Sequence, residues 1–287
     1  MSDISTFSQC AASPRLLLTA LLLAALPLFA APPKKAPPPD TWELKFTENF
    51  NGKSLDTRLW RRIEGRADAG ADWQKNISPR DDLAELKNGI LLLKGVRNTD
   101  LAADARRVLA GGISSQGLFA MTYGKVEVRA RMTGGPGVWP AIWMMPKTSP
   151  NGWPHDGEID ILERLNREPF VHQTVHSGWT SSHPNDPPHT RHATVKPEAW
   201  NTYALEWTPE AIVWRINGKE THRYVKVNDD RERWPWDKPF YLMLDMQLGG
   251  KWVGALDEKA LPVVMQVDWV KLYHLKRGGK RLSSFTR

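Results

Sequence analysis

The 287-residue chain has one cysteine, Cys10, so an internal disulfide is excluded, and so is a cysteine-based zinc or iron–sulfur site. It has no long apolar run: LLLTALLLAALPLFAA at 16–31 falls short of the ~20 residues a comfortable membrane span needs. No window carries a convincing helical period, and there is no G-x-S-x-G elbow, P-loop or dinucleotide fingerprint. Charge of one sign is only mildly in excess, with 39 Lys+Arg against 32 Asp+Glu and a formal +7. With 41% hydrophobic and 25% charged residues the chain is globular rather than disordered. What it has in abundance is tryptophan, 14 residues, several times the usual share.

The ends read separately from the middle. Arg15, the apolar run and the small residues near Ala30 and Ala31 have the layout of a secretory signal peptide over 1–31, which predicts a secreted, periplasmic or cell-surface protein with no membrane span once mature. An uncleaved N-terminal anchor is the alternative. Cleavage would remove Cys10, leaving a mature chain that tolerates an oxidising compartment without using it. Residues 32–39 read as a stiff Pro/Lys-rich linker, 40–275 as one domain, and 276–287 as a frayed basic tail. Two lysines in the linker and five cations in the tail account for the whole +7, so the domain itself is formally neutral. A nucleic-acid partner is therefore not expected, and a monomer is.

The middle alternates. In KVEVRARM, Val126, Val128, Ala130 and Met132 share one face, and YALEW, VWRIN, YLML and VDWVKLY behave alike. Asn217-Gly218 between IVWRI and KETHRYV is a two-residue hairpin signal. Many short strands without crossover helices predict an all-β sandwich of antiparallel sheets. Trp207, Trp214 and Trp269 lie in alternating strands and are assigned to packing.

The segment DGEIDILERLN carries the chemistry. As a strand it puts Glu158 and Asp160 on one face, Ile159 and Ile161 on the other. Strict alternation would bury Glu163 among the isoleucines, where an unpaired carboxylate is costly, and one extra residue near Ile161-Leu162 returns it to the acid face. The two Glu backbones are then about four steps, ~13 Å, apart. Side chains leaning toward each other could leave the carboxyls about 5 Å apart, which leans toward the spacing of retaining glycosidases without excluding the wider gap of inverting ones. A solvated acidic face and a calcium site are the competing readings. His183, His189 and His192 in SSHPNDPPHTRH match no zinc spacing and are read as loop.

GEIDILER, with GVWPAIWMMP before it, resembles glycoside hydrolase family 16, the laminarinase, lichenase, agarase and endo-β-galactosidase group, in its bulged E-x-D-x-x-E form. FTENFNG, YGKVEVRARM, WTPEAIVWRINGK, PFYLMLDMQLGGKW and VDWVKLY extend the resemblance in order over 42–275. It implies a concanavalin A-like β-jelly roll of two curved sheets, with Glu158 as nucleophile, Asp160 as its helper and Glu163 as general acid/base. It implies an endo-acting retaining hydrolase of β-1,3 or β-1,4 linkages in a glucan or galactan. Cleavage of N-acetyllactosamine repeats in mucin-type O-glycans, a sulfated galactan substrate, and a binding module without turnover are the alternatives. Trp139, Trp143, Trp153, His176, Gln247 and Trp252 match cleft or loop positions and are expected to bind substrate. Asp245 departs from the pattern, since many relatives carry Asn there. No cofactor is required; some relatives hold a structural calcium, for which Glu48 and Asp268 are the weak candidates here.

Overall fold

A computed structural model describes residues 38–286. The signal-peptide reading, Cys10 and most of the linker lie outside the described residues. Two antiparallel sheets face each other across one core, the all-β sandwich that the alternation predicts. The first sheet runs Lys219–Val225, Ala211–Ile216, Asn201–Trp207, Gly124–Met132, Val263–Arg277, Ile90–Arg97 and Ala84–Lys87, with Asp40–Glu48 also paired to Val263–Arg277. The second runs Thr190–Thr194, Phe170–His176, Glu158–Glu163, Val138–Pro146, Phe240–Leu248, Gly112–Ser114 and Arg61–Arg62. Among the described residues no helix is long and apolar enough to cross a membrane.

Period-two sequence becomes a two-faced strand. In Gly124–Met132 every second residue is buried, and Val126, Val128, Ala130 and Met132 join the core. Asn217 and Gly218 take φ of 52° and 81°, the left-handed pair that a tight hairpin requires, and Ile216 pairs with Lys219 across them. Trp207 and Trp214 are fully buried, as assigned. Trp269 is not: it follows a register shift after Val267, stays half-buried on the outer face, and has the Lys271 ammonium 4.3 Å from its ring.

The tail also differs from its reading. Val263–Arg277 runs past 275, Lys280–Arg281 folds back on it, and Ser284–Thr286 pairs with Ala120–Thr122 of the second sheet. Ser283 Oγ bonds His274 Nδ1 at 2.9 Å and accepts from Leu275 N at 3.0 Å, and the Phe285 ring meets His274 edge-on. Three of its five cations are engaged as well: Lys276 and Arg281 reach Glu43, and Arg277 reaches both Asp40 and Glu210. A segment of two- and three-residue strands has no readable period, which is why it passes for a frayed end.

Candidate active site

Glu158–Glu163 sits in the middle of the second sheet. Asp160 pairs with Thr174 and Glu163 with His172, so three steps on the acid strand oppose two on its neighbour, and the register shifts on the other side as well. That is the extra residue expected near Ile161-Leu162. Ile159, Ile161 and Leu162 are all in the core, while Glu158, Asp160 and Glu163 leave by the opposite face. The second sheet's partner holds the strand in place: Trp214 Nε1 donates to the Asp160 carbonyl at 2.7 Å. From a loop, Trp236 Nε1 donates to the Glu158 carbonyl at 3.2 Å.

Each glutamate receives one indole N–H. Trp153 Nε1 donates to Glu158 Oε2 at 2.5 Å, and Trp139 Nε1 to Glu163 Oε1 at 3.0 Å. Asp160 lies between them, fully buried, 3.2 Å from His176 Nε2 and side by side with the Glu158 carboxyl. Burial, then the charge of its neighbours, drives the trio upward. Glu158 is pushed up to about 8 by desolvation and by Asp160, against the pull of His176 and Trp153. Asp160 is pushed up to about 7 by desolvation. Glu163 is raised well above the ordinary carboxylate range by desolvation, then Asp160 and Glu158. The trio therefore keeps protons at neutral pH. Glu158 and Asp160 are hydrogen-bonded to each other and titrate as a pair, so near neutral pH they share one proton while the other carboxyl is ionised.

The six expected substrate-binding residues all lie around this face, in two classes. Trp153 and Trp252 are 59% and 50% exposed, and Trp139 and His176 are half-exposed. Trp143 and Gln247 are buried, which removes them as surfaces for a sugar ring. Trp143 instead packs on Trp73, ring centroids 4.9 Å apart, and donates Nε1–H to Asp245. Gln247 Nε2 donates to the same carboxylate.

His172 escaped the sequence reading, although FVHQTVH places it two steps of period two from His176 on the same face. It pairs with Glu168 and stands edge-on to both Trp252 and His192. His192 belongs to the Thr190–Thr194 strand, opposite His172, and stacks on Phe170, so the loop reading holds for His183 and His189 but not for it. Trp139, Trp252, His172, His192 and Phe170 thus form a continuous run of rings from Glu163 to the sheet edge.

Glu158, Asp160 and His176 bring three ligand-type atoms within 4.8 Å of one another; among the described residues this is the one such group, and it does not contain the calcium candidates. Glu48 accepts from Phe50 N, and the Asp268 carboxylate is engaged by the Arg129 guanidinium. A cation beside Asp268 does not fit a calcium ligand set.

The family profile described as Glycosyl hydrolases family 16 matches residues 82–271. A keratan-sulfate endo-1,4-beta-galactosidase of Sphingobacterium multivorum is 37% identical over 239 residues, 82% of this chain and 56% of that protein, so the chain spans little more than half of that relative's length. A beta-glucanase of Rhodothermus marinus is 32% identical, covering 81% of this chain and 85% of its own. The X-ray structure of the laminarinase from Rhodothermus marinus superposes with a TM-score of 0.74 at 30% identity, over 83% of this chain and 99% of that one.

Proposed function

The chain belongs to glycosyl hydrolase family 16, and from that premise we propose that it is an endo-acting, retaining hydrolase of internal β-1,3 or β-1,4 linkages in a glucan or galactan. The observation that carries this reading is the bulged strand itself. It delivers two glutamates to one open face, each held by an indole N–H, with a buried aspartate between them.

In this reading Glu163 gives its proton to the glycosidic oxygen while the Glu158 carboxylate attacks the anomeric carbon, and the C1–O bond breaks. Water then attacks the glycosyl-enzyme ester, its proton passes to Glu163, and Glu158 leaves as a carboxylate. When Glu158 attacks, the proton shared by the pair lies on Asp160, which steadies the charge that Glu158 loses and regains. Trp153 and Trp252 present accessible indole surface for the apolar C–H faces of sugar rings.

Cleavage of N-acetyllactosamine repeats in mucin-type O-glycans is a second reading, favoured by the 37% identity to a protein named as a keratan-sulfate endo-1,4-beta-galactosidase. Parallel digestion of laminarin, barley glucan, agarose, keratan and mucin, with products weighed by mass spectrometry, tests the choice. Internal fragments from at least one are expected, and binding without cleavage at every pH would sink the enzymatic reading. Export through residues 1–31 is part of the proposal. Mature protein outside the cytoplasm with an N-terminus near residue 31 supports it, and full-length chain retained inside argues against it.

A further inference from the structure

The open face holds a fourth carboxylate that this mechanism does not use. Asp245, on Phe240–Leu248, is fully buried, and it pairs in register with Ala141, which pairs on its other side with Glu163. Directly paired residues share a face, so Asp245 and Glu163 flank a single methyl group at about two strand spacings, ~10 Å between backbones.

Its surroundings are built for it. Trp143 Nε1 donates to Oδ2 at 2.9 Å and Gln247 Nε2 to Oδ1 at 2.8 Å, one donor for each oxygen. On the next strand Gly112 pairs with Asp245, and a Cβ there would come within 2.7 Å of the Asp245 Cβ, so glycine supplies the room. Two N–H donors favour the anion over the acid, and desolvation opposes them, with Asp245 pushed up to about 7. Asp245 has no exposed surface with which to touch a sugar.

We infer that Asp245 is a positioning residue for Glu163, acting across Ala141 to keep the proton of the acid/base in place. The inference rests on the reading of Glu163 as the proton donor. The other titratable groups of this face are Glu158 and Asp160 on the strand of Glu163, His172 and His176 on Phe170–His176, and Tyr241, whose charge partner is Glu158; Val138–Pro146 and Gly112–Ser114 contribute no titratable side chain. Asp245 is the one carboxylate of this set that reaches Glu163 from another strand, two places along the sheet, and its charge adds to the burial and the nearer carboxylates that raise Glu163. Once ionised it extends the pH range over which Glu163 stays protonated.

The test needs no substrate. Full-length protein labelled with [5-13C]glutamate is titrated by carbon NMR, the Glu163 resonance being assigned by its loss in E163Q. In D245N the Glu163 midpoint should fall by about one pH unit, the size expected for one partly screened charge at this range. D245S, which also removes the charge, should move it the same way and covers a D245N that fails to fold. A midpoint unmoved in a folded variant overturns the inference. Failure of the underlying reading looks different: E163A would then keep its activity on the five glycans, whatever the NMR midpoint does.

Discussion

The Nε1–H of Trp139 donates to Glu163 Oε1 at 3.0 Å, and Trp139 is itself the first ring of the aromatic run that ends at Phe170. The bond favours the ionised carboxylate, so it works against the burial that raises Glu163. W139F should therefore move the basic limb of kcat/KM to higher pH, because the acid holds its proton more tightly. The rate should drop about tenfold, the scale of one lost hydrogen bond to a charged group. A pH–rate profile of the variant, with the basic limb moving down or standing still, would argue against this role.

The two glutamates should fail in different ways. E158Q removes the nucleophile and is expected to cost at least about 10³ in kcat while leaving glycan binding intact. E163A should lose about 10²–10⁴ and recover part of it when azide is supplied with an activated aryl glycoside, since azide needs no general base. Steady-state kinetics with and without azide separates them; rescue of E158Q but not E163A would exchange the assignments.

The pH optimum follows from the shared burial. With Glu158 pushed to about 8 and Asp160 to about 7, the acid limb, where the pair gives up a proton, falls near neutrality rather than near pH 4. Asp160 raises Glu158 by its charge, and His176 lowers it. D160N should shift the acid limb down and H176A should shift it up. Profiles of both variants that move together would break the sign argument.

Stability carries the same signature. A carboxyl whose folded pKa is raised contributes fully below its unfolded value, near 4, and the contribution is lost as pH rises through the folded value of about 8 for Glu158. E158Q should then melt higher than the wild type at pH 8, by roughly 5 °C, and no higher at pH 4. Melting curves at the two pH values check it, and an equal shift at both would contradict it.

Much of this was legible in the chain. Alternation announced the sandwich, Asn217-Gly218 its hairpin, and the cost of burying Glu163 announced the bulge. These are local signals, read within a few residues. What was not legible depends on partners far apart in sequence. Asp245 acquires its meaning only when two strand registers bring it beside Ala141 and Glu163. Trp143 and Gln247 look like cleft residues in sequence and become a buried cradle for Asp245 in space. His192 stands in a polar, proline-rich stretch, and only pairing with His172 makes it part of a strand.

The tail makes one more prediction, from the same kind of non-local contact. Deleting residues 282–287 removes the Ser283 bonds to His274 and Leu275 and the strand paired to Ala120–Thr122. A loss of about 2–3 kcal/mol, or roughly 5 °C in Tm, is expected, with activity at 25 °C retained. An unchanged melting temperature would return the tail to a dispensable end.

The most direct test of the account is the anomeric form of the first products, read by proton NMR before mutarotation, on whichever of laminarin, barley glucan, agarose, keratan and mucin the protein cuts. Double displacement through Glu158 predicts that the new reducing ends appear as the β-anomer. Their appearance as the α-anomer would mean a single displacement by water, and would contradict the roles assigned to Glu158 and Glu163.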